Sequence, residues 1–96
     1  MIVLNAKTRE LIVTKEVNKK FSIDYRYELT KNEFKFLLLS IDNDLHTYSE
    51  YVRFIPTNSV ANIKVLVGAI SKKYKLHTKN YSRKGYKLLE EVYLDY

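Results

Sequence analysis

Hydrophobic positions in the first third of the chain repeat with period two. Phe21, Ile23, Tyr25, Tyr27 and Leu29 alternate with Ser22, Asp24, Arg26 and Glu28, which predicts a strand with one buried and one wet face. Ile2–Leu4 and Glu10–Val13 are shorter strand candidates, with Asn5-Ala6-Lys7-Thr8 and Asn18-Lys19-Lys20 as the turns between them. The economical arrangement is a three-stranded antiparallel meander over residues 1–29.

The period changes at Thr30. Thr30-Lys31-Asn32-Glu33 is a capping box, because Thr and Glu three apart each satisfy a free N–H at a helix start. Phe34, Leu37, Leu38 and Ile41 follow on one helical face, and Asp42-Asn43-Asp44 ends the helix. A second capping box, Thr47-Tyr48-Ser49-Glu50, opens a short helix with Tyr48, Tyr51, Val52 and Ile55 on one face. Pro56 stops it. Thr57-Asn58-Ser59 offers caps for a third helix over Val60–Lys75, with a core stripe of Val60, Ile63, Val67, Ile70 and Tyr74. Period two then returns in His77–Tyr81 and Tyr86–Val92. The turn between them is Ser82-Arg83-Lys84-Gly85, where Gly85 is expected to supply positive φ.

Ninety-six residues make one domain, divided as an N-terminal sheet (1–29), three helices (30–75) and a closing hairpin with tail (76–96). A chain this short buries about two-thirds of its unfolded surface, enough for one modest core and no roomy catalytic cleft. The longest apolar run, Val65–Ile70, is far short of the ~20 residues of a membrane helix. The opening Met1-Ile-Val-Leu-Asn reads as a strand and not as a signal peptide. With no cysteine there is neither a disulfide framework nor a common zinc site. A cytoplasmic protein without cofactors is the simplest expectation.

Charge narrows the function. Seventeen Lys+Arg against eleven Asp+Glu leave +6, and a small basic domain commonly has a polyanion as partner, because neutralising phosphates releases condensed counterions. Thirteen of the basic residues are lysine and four arginine, a balance that favours phosphate contact over base reading. Catalysis has little to stand on. No Gly-x-Ser-x-Gly and no phosphate-binding glycine loop is present. His46 and His77 are far apart and have no partner motif, so half-buried or surface histidines are expected. Asp42-x-Asp44 looks like the start of a calcium loop, but Thr47 and Arg53 stand where that loop needs glycine and glutamate. Most of the nine tyrosines fall on apolar faces and read as core, with Tyr81 and Tyr96 the best exposed candidates.

Sheet, three helices and hairpin, in that order, resemble the winged-helix DNA-binding domain of the OmpR/PhoB response-regulator family. The resemblance spans the chain. It is carried by Leu29-Thr30-x-x-Glu33-x-x-x-Leu37-Leu38, by Tyr48-Ser49-Glu50, and by Ile63, Val67 and Ile70 followed by Lys72-Lys73-Tyr74. Lys84-Gly85-Tyr86-Lys87-Leu88 is the fourth carrier. It implies an α+β winged helix-turn-helix with an N-terminal antiparallel sheet and a C-terminal hairpin wing. It also implies binding to double-stranded DNA, with the third helix in the major groove and the wing beside the minor groove. Two departures stand out: no receiver domain is present, and Arg83 replaces the first wing glycine. The lysine-, tyrosine- and asparagine-rich composition is also loosely similar to accessory DNA-binding proteins of the relaxosome in clostridial conjugative plasmids.

The third helix departs most. Opposite its core stripe lie Ala61, Val65, Leu66 and Ala69, edged by Asn62, Lys72 and Lys73, with no arginine. A helix apolar on nearly all sides is normally buried on both. Three readings follow, in order of preference. The helix packs on its twin in a homodimer; or Val65 and Leu66 touch thymine methyls while Asn62 reads adenine; or the tail Leu89–Tyr96 covers the face. In the first case DNA is held elsewhere, by Lys79, Arg83 and Lys84 in the wing, Lys7 and Arg9 in the first turn, and the wet strand face around Arg26. The sequence therefore supports a homodimeric site-specific DNA-binding protein serving transcription or plasmid transfer and maintenance, within a larger nucleoprotein complex. The alternative is a protein-interaction module whose apolar third helix holds another protein.

Overall fold

The computed structural model describes residues 1–56 and 59–96. The chain runs β1 (Ile2–Asn5), β2 (Glu10–Val17), β3 (Lys20–Glu28), α1 (Lys31–Ser40), β4 (His46–Thr47), α2 (Tyr48–Phe54), α3 (Val60–Tyr74), β5 (Thr78–Tyr81), β6 (Gly85–Leu88) and β7 (Val92–Asp95). The meander forms as the alternation predicts, with β2 antiparallel to both β1 and β3. Asn18 and Lys19 join β2 to β3 with φ of 54° and 64°, the two-residue turn whose twist matches the flanking strands.

Two features of the sheets differ from the expectation. The tail does not cover α3. Residues 92–95 form β7, which pairs in parallel with β1 and completes a four-stranded sheet of order β3-β2-β1-β7. The expected strand Tyr86–Val92 is thus two strands, broken after Leu88, and they belong to different sheets.

The second difference lies in β3. Tyr25 faces Val13 and Ile23 faces Thr14, so Asp24 is an extra residue in the ladder. Such a bulge breaks strict alternation. Neighbours on β2 point to opposite faces, and directly opposed residues share one. Tyr25 and Tyr27 therefore stay on the inner face with Val13 and Leu11, stacked at 5.8 Å. Phe21 and Ile23 turn to the other face and are 60% and 54% exposed. β3 is an edge strand with most of both faces in water, so the predicted buried face holds only at its end, where Tyr27 packs on the core and Leu29 joins it.

The helices start where the capping boxes place them. Thr30 accepts from the Glu33 N–H while Glu33 accepts from the Thr30 N–H, and Thr47 and Glu50 repeat the arrangement. The buried face of α1 is rotated from the predicted one. Its centre is Glu33, Phe36, Leu37 and Ser40, with Phe34, Leu38 and Ile41 at the flanks. The reason is Tyr51 of α2, wholly buried. Its ring stacks on Phe36 at 4.7 Å and its hydroxyl meets the Ser40 Oγ at 2.7 Å. Leu4, Leu11, Ile55, Ile63, Ile70, Leu76 and Leu88 close the core around them.

The wing, β5 and β6, docks on the body through β4. His46 pairs with Tyr86 and Thr47 with Gly85. Gly85 does not have positive φ, as the turn reading expects; Arg83 takes that role at φ 62°. Glycine is needed at 85 for a different reason, since a Cβ there would collide with the His46 carbonyl oxygen. His46 also has partners that the sequence reading denies it. Its Nδ1 is 2.8 Å from Glu50 and its Nε2 2.8 Å from Asp42. Both ring nitrogens face carboxylates, so the imidazolium is the form that satisfies both bonds. Burial alone would lower the His46 pKa, but Glu50 and Asp42 raise it above the ordinary 6.5.

Two outcomes follow for stability. Gly85→Ala should destabilise the fold by roughly 2 kcal/mol or more, because neither β4 nor the wing has room for a methyl, as measured by urea unfolding. The pH dependence has two limbs. Glu33 and Asp42 are held below their ordinary values against the opposing effect of burial, so their contribution is present above those values and lost on acidification. His46 is raised, so its contribution is complete below 6.5 and lost as pH climbs through the folded value. Unfolding at a series of pH values should show a plateau between 4.5 and 6.5, and His46→Gln should remove the alkaline decline. A decline that persists in the variant assigns it to another group.

Candidate nucleic-acid interface

α3 opens on Ser59, whose Oγ accepts from the Ala61 N–H at 3.1 Å; the other two predicted caps, Thr57 and Asn58, lie outside the described residues. Ile63 and Ile70 are buried, with Leu66, Val67 and Tyr74 packed against the core. Val60, expected in the core stripe, is exposed at the helix start. The helix ends at Lys75, whose φ of 57° is left-handed and whose N–H donates to the Ser71 carbonyl.

The outward face is narrower than the wheel suggests. Ala61, Val65 and Gly68 form its centre, and Val65 is 72% exposed. Leu66, expected to point out, turns partly onto the core, and Ala69 is half-buried. A groove separates this face from the start of α1. Asn32, Ile55, Asn62, Val65, Leu66 and Ala69 line it.

Glu33 fixes how α3 lies. Its carboxylate is 2% exposed and accepts from the Tyr74 hydroxyl at 2.8 Å and the Lys73 ammonium at 3.1 Å. Burial opposes its charge, but bonds from the Thr30 N–H, Tyr74 and Lys73 hold the carboxyl below its ordinary value. The Tyr74 hydroxyl is pushed up by burial and by the same carboxylate. One side chain thus ties the first turn of α1 to the last turn of α3. Lys73 is spent on this contact, while Lys72, one residue earlier, is exposed.

The other sequence-selected cations fall into three places. Lys79, Arg83 and Lys84 share the wing, all exposed. Lys79 lies 5.1 Å from the Tyr81 ring centroid, and the Lys84 carbonyl accepts from the first amide of α2, at Tyr48. Lys7 and Arg9 share the β1–β2 turn, which the Leu29 N–H holds against the α1 start by donating to the Arg9 carbonyl. Arg26 stands apart. It is 3.7 Å from Glu10, and Glu10 is directly opposed by Glu28. The strand face around it is therefore locally acidic. Further exposed cations include Lys64 on α3, Lys15 on β2, Lys19 in the turn and Lys20 on β3, with Lys31 and Arg53 on the first two helices. The helical wheel locates those on helices; the others need the observed extent of the hairpin.

Among the tyrosines, Tyr96 is fully in water as expected, but Tyr25 and Tyr93 are more exposed than Tyr81. Among the described residues no group of three His, Asp or Glu could hold a metal ion, and no helix is long and apolar enough to cross a membrane.

Neither a family model nor a curated protein matches the sequence. The fold is similar to the crystal structure of the DNA-binding domain of Bacillus subtilis CssR, with a TM-score of 0.69 over 93% of this chain and 100% of that one, at 16% identity. At that identity the likeness is one of backbone, and it gives the architecture: an α+β winged helix-turn-helix, with an N-terminal sheet before three helices and a hairpin wing after them.

Proposed function

We propose that this chain is a non-enzymatic protein that binds double-stranded DNA at specific sites as a homodimer, in the service of transcriptional control or of plasmid transfer and maintenance. The observation that carries the reading is a division of labour on the surface. The outward centre of α3 is small, apolar and free of arginine, while three cations sit together on the wing. The similar fold of Bacillus subtilis CssR is that of a DNA-binding domain, and the net charge of +6 favours a polyanion.

In this reading Ala61, Val65, Leu66 and Ala69 meet their twins across a two-fold axis. Lys79, Arg83 and Lys84 grip phosphates beside one groove, and Lys7, Arg9 and Lys72 add to the track, with Asn62 at the edge of the helix. Arg26 contributes less than its type suggests, because Glu10 and Glu28 share its face. Lys73 holds Glu33 and is available to a phosphate only by leaving it. Two-fold symmetry then asks for paired half-sites about one helical turn apart, ~10 bp. The second reading, a module whose α3 holds a different protein, draws on the same exposed Val65.

A mobility-shift titration over salt separates the two. Duplex affinity should fall linearly on a log–log plot, and Arg83→Asn with Lys84→Gln should lower the slope by about 1 per lost phosphate contact, equally for all sequences. Asparagine is chosen at 83 because it tolerates the left-handed backbone there. Absence of duplex binding at low salt would leave the protein-interaction reading. Val65→Glu should give a folded monomer in sedimentation; a variant that stays dimeric but loses DNA affinity moves α3 into the groove instead.

A further inference from the structure

β2 and β3 run on past the rest of their sheet. β1 ends opposite Val13, and the Met1 carbonyl takes the Thr14 N–H at 2.9 Å. Beyond that point the pairs Lys15–Ser22, Glu16–Phe21 and Val17–Lys20 stand as a two-stranded ribbon, about 13 Å long at 3.3 Å per residue. The molecule is correspondingly elongated, 45 × 24 × 22 Å. A lone hairpin is marginal in water. This one is anchored by continuing a four-stranded sheet, and the Asp24 bulge at its root bends it and strengthens its twist.

The surface of the ribbon is unusual in two ways. Phe21 and Ile23 are exposed on one face and Val17 on the other, all within ten residues, a concentration of apolar side chains that a partner would cover. The charge there is mostly of one sign. Residues 14–23 hold Lys15, Lys19 and Lys20 against the single carboxylate Glu16. Lys15 is engaged by Asp24 at 3.7 Å, whereas Lys19 and Lys20 at the tip have no ion pair among the described residues. The root of the ribbon adjoins the basic end of α3. Val13 and Tyr25 line one cleft with Tyr74 and Lys75, and Tyr27 packs edge-on against Tyr74 at 5.0 Å. Lys75 thus lies at the root of the ribbon whose tip carries Lys19 and Lys20.

We propose that the β2–β3 ribbon is an arm that grips the backbone of a DNA duplex beyond the winged-helix body, with Lys19 and Lys20 at the tip on phosphates and Phe21, on the ribbon face opposite Lys20, shielding that face from water. The inference rests on the DNA-binding reading and adds to it an element outside the helix-turn-helix and the wing. A twisted two-stranded ribbon is of a size that a DNA groove admits, and the charge at the tip complements phosphate. A basic, apolar tip would also suit an anionic bilayer, so the test includes one.

The experiment compares the parent chain with Lys19→Asn/Lys20→Gln, and separately with Phe21→Thr, all checked for an unchanged circular dichroism spectrum. Asparagine again suits the positive φ at 19. Two lost phosphate contacts on each protomer make four for the dimer and should reduce the log–log salt slope by about 3.6, so the affinity lost between 50 and 200 mM salt shrinks by about 100-fold. The hydroxyl-radical footprint should shorten at both outer ends, and Phe21→Thr should weaken binding several-fold without changing the slope. An unchanged slope and footprint in the lysine variant, with duplex binding intact in the parent, overturns the arm and leaves the DNA reading standing. Failure of the parent to bind any duplex overturns both. Cosedimentation of the parent with phosphatidylserine vesicles that the lysine variant loses, while its DNA slope stays the same, reassigns the tip to a membrane.

Discussion

The buried carboxylate of Glu33 sets the geometry on which the surface depends. α3 carries an exposed outward face and a basic end, and its direction is meaningful only relative to the sheet and wing. A helix packed by hydrophobic contact alone can slide or roll at little cost, because burial is roughly proportional to area and indifferent to direction. A charged group 2% exposed behaves otherwise. It must keep all its partners or bear the cost of an unpaired buried charge. Here those partners come from Thr30 before α1 and from Lys73 and Tyr74 at the end of α3. The helix is therefore locked in rotation and translation by one residue that is also half of a capping box.

What could be read from the sequence divides by range. The capping boxes at Thr30 and Thr47, the stop at Pro56 and the strand-to-helix change of period were legible because each is decided within four or five residues. Features decided between distant segments were not. Parallel pairing of residues 2–5 with 92–95 leaves no mark in either segment alone. The bulge at Asp24 left the alternation of β3 intact as a string while reversing the faces of Phe21 and Ile23. Gly85 stands where the hairpin pattern predicts positive φ, and the structure shows otherwise. Its φ is ordinary; its constraint is the carbonyl of His46, thirty-nine residues earlier in the chain. His46 itself showed a readable signal, carboxylates at i−4 and i+4, which a search for metal-like clusters passes over.

On the surface, residue type was a poorer guide than neighbourhood. Arg26 is one of four arginines, yet it faces Glu10 and Glu28. Lys73 lies in the most basic run of the chain, yet it is held by a buried acid. Lys19 is the turn residue that the sequence predicts and Lys20 opens β3, and both stand at the end of a ribbon that runs past the rest of its sheet. The net charge of +6 is thus an average over cations in quite different circumstances. The wing keeps three of them clear of any acid, and this makes it the most uniformly positive element of the predicted track.

The parallel pairing of β1 with β7 also governs the order in which the molecule can assemble. Ile2 and Val92 are adjacent in space but ninety residues apart in the chain. During synthesis the meander emerges before the helices and the wing and lacks its fourth strand until all of these have been made. Until then one edge of β1 is bare, and the hydrophobic side of Leu4 has only part of its eventual cover. Ring closure over such a distance adds little to the equilibrium cost but slows the search considerably. The β1 edge of this sheet is consequently open for as long as the helices and the wing are being made.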